Sequence, residues 1–74
     1  MNKARRKRLE ELQTKAELLQ AEIEQLMEEE DEVRENMNDG TEMYERSEEA
    51  SNCMQDAIDS LDEVYQAIED AINA

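Results

Sequence analysis

The 74-residue sequence has no proline, histidine, tryptophan or phenylalanine, and only one glycine and one cysteine. Each gap closes off a class of chemistry. Without histidine there is no imidazole base for a Ser–His or Cys–His pair, and the Glu-x-x-His pattern of di-iron bundles is missing. A lone Cys53 completes neither a zinc site nor an intramolecular disulfide, and it suits a reducing cytoplasm. No glycine-rich loop is present to cradle phosphate. Carboxylates abound, but on solvated helix faces nothing desolvates and tunes them. This inventory argues against an enzyme and implies no cofactor and no metal. No run is apolar enough to cross a membrane. The basic opening KARRKR is followed by no apolar segment, so it does not read as a secretory signal.

What remains is rich in good helix formers with few β-branched residues, so the composition predicts an all-α chain. The single break is ENMNDGTEMYE, Glu35 to Glu45, which holds Gly40. Read as an EF-hand loop with Gly40 at position 6, it places Met37 at position 3 and Arg46 at position 12. Neither ligates a hard cation. The better reading is a bend: Gly40 supplies a left-handed residue that closes one helix, and Thr41 or Asp39 caps the next.

Apolar residues repeat at alternating steps of three and four on both sides of the bend. The first half gives Leu9, Leu12, Ala16, Leu19, Ile23, Leu26, Val33 and Met37, interrupted by Glu30. The second gives Met43, Ser47, Ala50, Met54, Ala57, Leu61, Val64, Ile68 and Ala71. These are heptad seams. They predict one domain over residues 1–74, an antiparallel two-helix coiled-coil hairpin with helix 1 about 3–36, a bend about 37–41 and helix 2 about 42–73. Each helix is about 45–50 Å long. Glu30 is expected to face Ser47, and Met27, Met37, Met43 and Met54 to fill the bend end of the core.

The second helix carries a further apolar row, Tyr44, Ile58, Tyr65 and Ile72, which the first does not match. A stripe that wide buries more than one neighbour. Either it joins two hairpins into a four-helix bundle, or it docks a different partner. Homodimerisation through this row is the first expectation.

Charge is strongly divided. Lys3, Arg5, Arg6, Lys7 and Arg8 form a basic tip, while residues 9–74 hold three cations against twenty-two acids, a net of −19. Folding back brings the tip beside the end of the second helix, near Glu69 and Asp70, where opposite charges and helix dipoles agree. Glu10, Glu17, Glu24 and Asp31 share one outer heptad position, and Glu49, Asp56, Glu63 and Asp70 share another. Such a body repels nucleic acid and anionic membranes and attracts basic protein surfaces. The acidity serves either recognition or solubility.

The stretches MNKARRKRLEEL, ENMNDG…YERSEEA and MQDAIDSLDEVYQAIEDAI resemble the small acidic helical proteins of bacteriophages and mobile elements of Gram-positive gut bacteria. The similarity runs over nearly the whole chain, with Asn38 standing where those proteins carry a bend proline. It implies a phage-like context in the bacterial cytoplasm, where small acidic proteins block host defence or DNA-binding enzymes. The expected function is thus binding of a basic, nucleic-acid-binding host protein through the acidic faces, as an inhibitor or DNA mimic. The alternatives are a structural or adaptor bundle using the apolar row, and an oligomer that sequesters a small nucleotide with Arg5, Arg6 and Arg8.

Overall fold

The computed structural model describes residues 1–74 and consists of two helices, α1 (Lys3–Glu35) and α2 (Glu42–Asn73), packed side by side as a hairpin. The hairpin is 55 Å long and only 15 by 11 Å across its Cα positions. Neither helix is long and apolar enough to cross a membrane.

Local chemistry sets the helix ends. Asn2 opens α1, its side-chain oxygen accepting the Arg5 N–H at 2.8 Å. Thr41 opens α2 in the same way, accepting the Tyr44 N–H at 3.2 Å while its hydroxyl donates to the Asn38 carbonyl at 2.9 Å. Each cap satisfies an amide that the first helical turn leaves without a partner. Glu42 and Glu45 in the first turn of α2 add charge of the favourable sign. At the other end of α1 the chain tightens: the Asn36 and Met37 amides donate back to the Val33 and Arg34 carbonyls. Asn36, not Gly40, is the C-cap, with φ −96°. Gly40 is the one residue at positive φ, +79°, and it sits just before the Thr41 cap rather than closing α1. Its job is to aim the chain into α2.

The seam between the helices differs from the expected heptads. The central shielded series of α1 is Leu9, Gln13, Ala16, Gln20, Ile23, Met27, Glu30 and Arg34, continued by Met37 just past its end; that of α2 is Tyr44, Ser47, Ser51, Met54, Ile58, Leu61, Tyr65, Ile68 and Ile72, with Asp31, Glu69, Ala57 and Ala71 part-shielded beside them. Both series follow strict three–four spacing. Each keeps the expected central row and exchanges its flank. Leu12, Leu19, Leu26 and Val33 turn outward at 50, 48, 56 and 53% exposure, and Gln13, Gln20, Met27 and Arg34 take their place. On α2 the exposed row is Met43, Ala50 and Val64 with the part-shielded Ala57 and Ala71, and the row Tyr44, Ile58, Tyr65 and Ile72 faces α1. That row is therefore part of the hairpin's own seam, which corrects its assignment as the free dimer face.

The resulting core is thin. Only Ala16 and Ile58 are buried apolar residues, and the other buried side chains are Gln13, Ser47 and Ser51. A pair of helices with so little dry contact has a small margin of stability.

Replacing Gly40 by valine tests the bend. No atom lies where a Cβ would go, so the cost is backbone strain alone. A β-branched residue held at positive φ is expected to lower unfolding free energy by about 1–2 kcal/mol, measured by urea titration of the helical circular dichroism.

Candidate functional site

Three polar clusters repeat along one side of the seam. Gln13 is 8% exposed, and its amide donates to the Glu69 carboxylate at 2.6 Å and to the Tyr65 carbonyl at 3.4 Å. One heptad on, the Gln20 amide donates to Asp62 at 2.7 Å and to the Ile58 carbonyl at 3.0 Å. The same unit is thus used twice: a glutamine reaches across to a backbone carbonyl of α2 and to the acid four residues later. Near the bend, Arg34 donates to the Ser51 hydroxyl at 2.7 Å, to the Ser47 carbonyl at 3.1 Å and to Asp31 at 2.7 Å. The Ser51 hydroxyl in turn donates to Asp31 at 2.8 Å, closing a three-residue ring. The small serines at 47 and 51 leave the space that the guanidinium fills. Ser47 is therefore bound by Arg34, where the heptad register pointed to Glu30.

These contacts place the acids. Glu10, Glu17 and Glu24 are exposed, but Asp31, the fourth of that row, is half-buried and belongs to the Arg34–Ser51 ring. It is not part of a solvated stripe. Its carboxyl is held below the ordinary aspartate range, first by the Ser51 hydroxyl and then by Arg34. Beside Glu17, the Tyr65 phenol is pushed up, because the ionised carboxylate favours the protonated hydroxyl as a hydrogen-bond donor. Glu49, Asp56, Glu63 and Asp70 are all exposed. They sit about 200° around α2 from its central seam row, whereas Glu10, Glu17 and Glu24 sit about 100° around α1, beside the polar clusters. The acids form two separate stripes rather than one face.

The basic tip lies at the C-terminal end of α2 and makes no ion pair there. Lys3, Arg5, Arg6, Lys7 and Arg8 are exposed, and the chain's ion pairs are Arg34–Asp31 and Arg46–Glu42. Glu69 is engaged by Gln13, so the tip runs level with the last turn of α2 and beyond it. Asp70 accepts from Gln66 on its own helix. Nor do the arginines converge. Arg5 and Arg8 flank an apolar hollow with Met1, Leu9 and Leu12, while Arg6 lies in a different depression with Lys3 and Lys7. One hairpin brings together no three-arginine cradle for a nucleotide.

Comparison of the chain with family models, curated proteins and solved structures finds no match. The surfaces themselves carry the functional reading. Sequence reasoning missed the Gln13–Gln20–Met27–Arg34 row. Its signal was there, a seven-residue spacing one step after each residue of the leucine row, but counting apolar residues passes over glutamines.

The Asp31 ring yields a pH prediction. A carboxyl with a lowered pKa in the fold contributes stability above its unfolded value, and that contribution is lost as pH falls through the folded value. The stability gap between wild type and Asp31→Asn is expected to be constant from neutral pH to about pH 5. It should shrink once pH drops below the ordinary value of 3.8. The difference between the two melting curves, taken across the pH range, reports on Asp31.

Proposed function

We propose that this protein is a non-enzymatic interaction module that binds a basic, nucleic-acid-binding protein through its acid stripes, occupying the surface that DNA or RNA would take. The observation that carries this reading is the unneutralised charge. Asp31 and Glu42 are the acids in ion pairs, leaving twenty of twenty-two carboxylates without a cation. A net charge of −14 along a 55 Å rod is about one charge per 4 Å, and two hairpins side by side reach about one per 2 Å, close to the ~1.7 Å of duplex DNA. The working unit in this reading is a four-helix bundle of two hairpins. The setting is the cytoplasm of a bacterial host, and the resemblance to small phage-encoded acidic proteins points to an inhibitor.

Glu49, Asp56, Glu63 and Asp70 are the primary contact residues. They are exposed, seven residues apart and on the outer side of α2, so they repeat about every 10 Å along one line of the rod. Glu10, Glu17 and Glu24 provide a second line. Neither nucleic acid nor an anionic membrane is a direct partner, because the same charges repel both.

A second reading, an adaptor bundle that holds another protein by apolar contact, is favoured by the exposed leucine row of α1. Salt separates the two. Charge-driven binding weakens steeply between low and high salt, and apolar docking does not.

The test is capture of partners from host lysate by immobilised protein, identified by mass spectrometry and then challenged with duplex DNA. Mimicry predicts that DNA displaces the captured partner. Converting Glu49, Glu63 to Gln and Asp56, Asp70 to Asn is expected to leave the helices intact, since these side chains face solvent. It should lower the association rate about tenfold or more at low salt and flatten the salt dependence. If the neutralised protein binds as tightly as the parent, the acidity only keeps the molecule dispersed.

A further inference from the structure

The hairpin has two broad sides, and the polar clusters identify them. Gln13, Gln20 and Arg34 bond to residues of the Tyr44–Ser51–Ile58–Tyr65–Ile72 row or its neighbours, so those flanks of α1 and α2 share one side. The other two flanks must share the opposite side. On it lie Leu12, Leu19, Leu26 and Val33 from α1, next to Met43, Ala50, Ala57, Val64 and Ala71 from α2. Four of these large side chains on α1 are about half exposed, and Met43 and Val64 are 69 and 46% exposed. This is a continuous apolar face on a chain that otherwise has almost no buried core.

We propose that a second copy of this chain covers that face, head to tail, so that each basic tip lies beside the other copy's bend. The inference gives a face and a direction to the bundle of the proposed function, and it stands whether or not the acid stripes meet a basic partner.

Three observations fit a second copy in this orientation. The first is symmetry. The α1 row is centred midway between Leu19 and Leu26, and the α2 row is centred on Ala57. Gln20 bonds to Ile58 and Asp62, which puts the two centres at nearly the same height along the hairpin. One two-fold axis there maps both rows onto themselves. It pairs Leu12 with Val33 of the second copy, Leu19 with Leu26, and Ala57 with its own counterpart.

The second is charge. The tip carries five cations with no ion-pair partner, and the bend end is crowded with Glu28, Glu29, Glu30, Glu32, Glu35, Asp39 and Glu42. Head-to-tail stacking lays tip on bend at both ends. It also brings Lys15 level with Glu29 of the second copy, twice by symmetry, at the expense of Glu22 meeting its counterpart on the axis. Stacking with bends together instead gathers both basic tips at one end of the bundle and both acidic bends at the other, where like charges repel.

The third is size. From Leu12 to Val33 the face runs about 30 Å, and with a width of about 20 Å it buries roughly 600 Å² per copy, or 1,200 Å² in total, within the range of specific interfaces. Covering it also turns the heptads Leu9–Met37 and Met43–Ala71 into the interior of four helices, where their spacing fits.

The test uses purified protein with no added partner. Light scattering is expected to give a dimer at high micromolar concentration. Asp39→Cys in a Cys53→Ser background, spin-labelled, should give a pulsed dipolar distance of about 50 Å, because the bends lie at opposite ends. A distance near 20 Å means the bends lie together and overturns the orientation. A monomer overturns the proposal and leaves the face to a different protein. Leu19→Glu with Leu26→Glu should abolish the dimer. Should that variant unfold, Lys15→Glu probes the same interface from its polar edge. It should weaken the dimer about tenfold, and adding Glu29→Lys should restore it. No effect of Lys15→Glu, or no rescue, removes the head-to-tail register.

Discussion

Two helices in contact share one seam, and a seam has two sides. Each helix here has a central row that faces its neighbour and a flank on either side of it. Because the pair is antiparallel and both helices are right-handed, the flanks do not choose their sides independently. Turning the Tyr44–Ile58–Tyr65–Ile72 flank of α2 inward brings the Gln13–Gln20–Met27–Arg34 flank of α1 opposite it. The leucine flank of α1 then travels outward with the alanine-rich flank of α2. The thin core, the polar bridges and the exposed apolar face are three consequences of this one coupling.

The polar bridges make the arrangement tolerable. A buried amide or guanidinium without partners costs free energy, and here each finds them. Gln13 and Gln20 reach both a carbonyl and a carboxylate of α2, and Arg34 is satisfied by Asp31, Ser47 and Ser51. No buried side-chain polar atom lacks a hydrogen bond. Such contacts demand particular partners at particular heights, so they specify register better than leucines do. The hairpin gains a unique alignment and gives up a dry interior.

That exchange bears on function. The side chains that hold the hairpin together lie on the polar side, the leucines lie on the other, and the acid stripes occupy the outer surface of α2 and the polar edge of α1. An apolar contact and a charged contact can then be made at once by different sides of one rod. In the proposed bundle the leucine sides meet, the basic tips are covered by acidic bends, and what remains outside is a uniformly acidic cylinder.

Much of this was legible in the residues alone. Helix-forming composition, heptad spacing and a single glycine determine two helices and a turn, because helical periodicity and backbone freedom are local properties. The division of charge between residues 3–8 and the rest is likewise read directly. Which flank of each heptad faces the neighbour is not local. Leu12 and Gln13 are adjacent in sequence and about 100° apart on the helix, and either suits a seam position by spacing. Only the packed pair decides between them, since the choice on one helix constrains the other through the handedness they share. The same holds for Asp31, an acid in a row of acids until Ser51, twenty residues away, is brought beside it. Sequence determined the helices, the turn and the charge of this protein; tertiary structure alone decided which face each residue serves, because a side chain's neighbours across a seam are set by the rotation of both helices together.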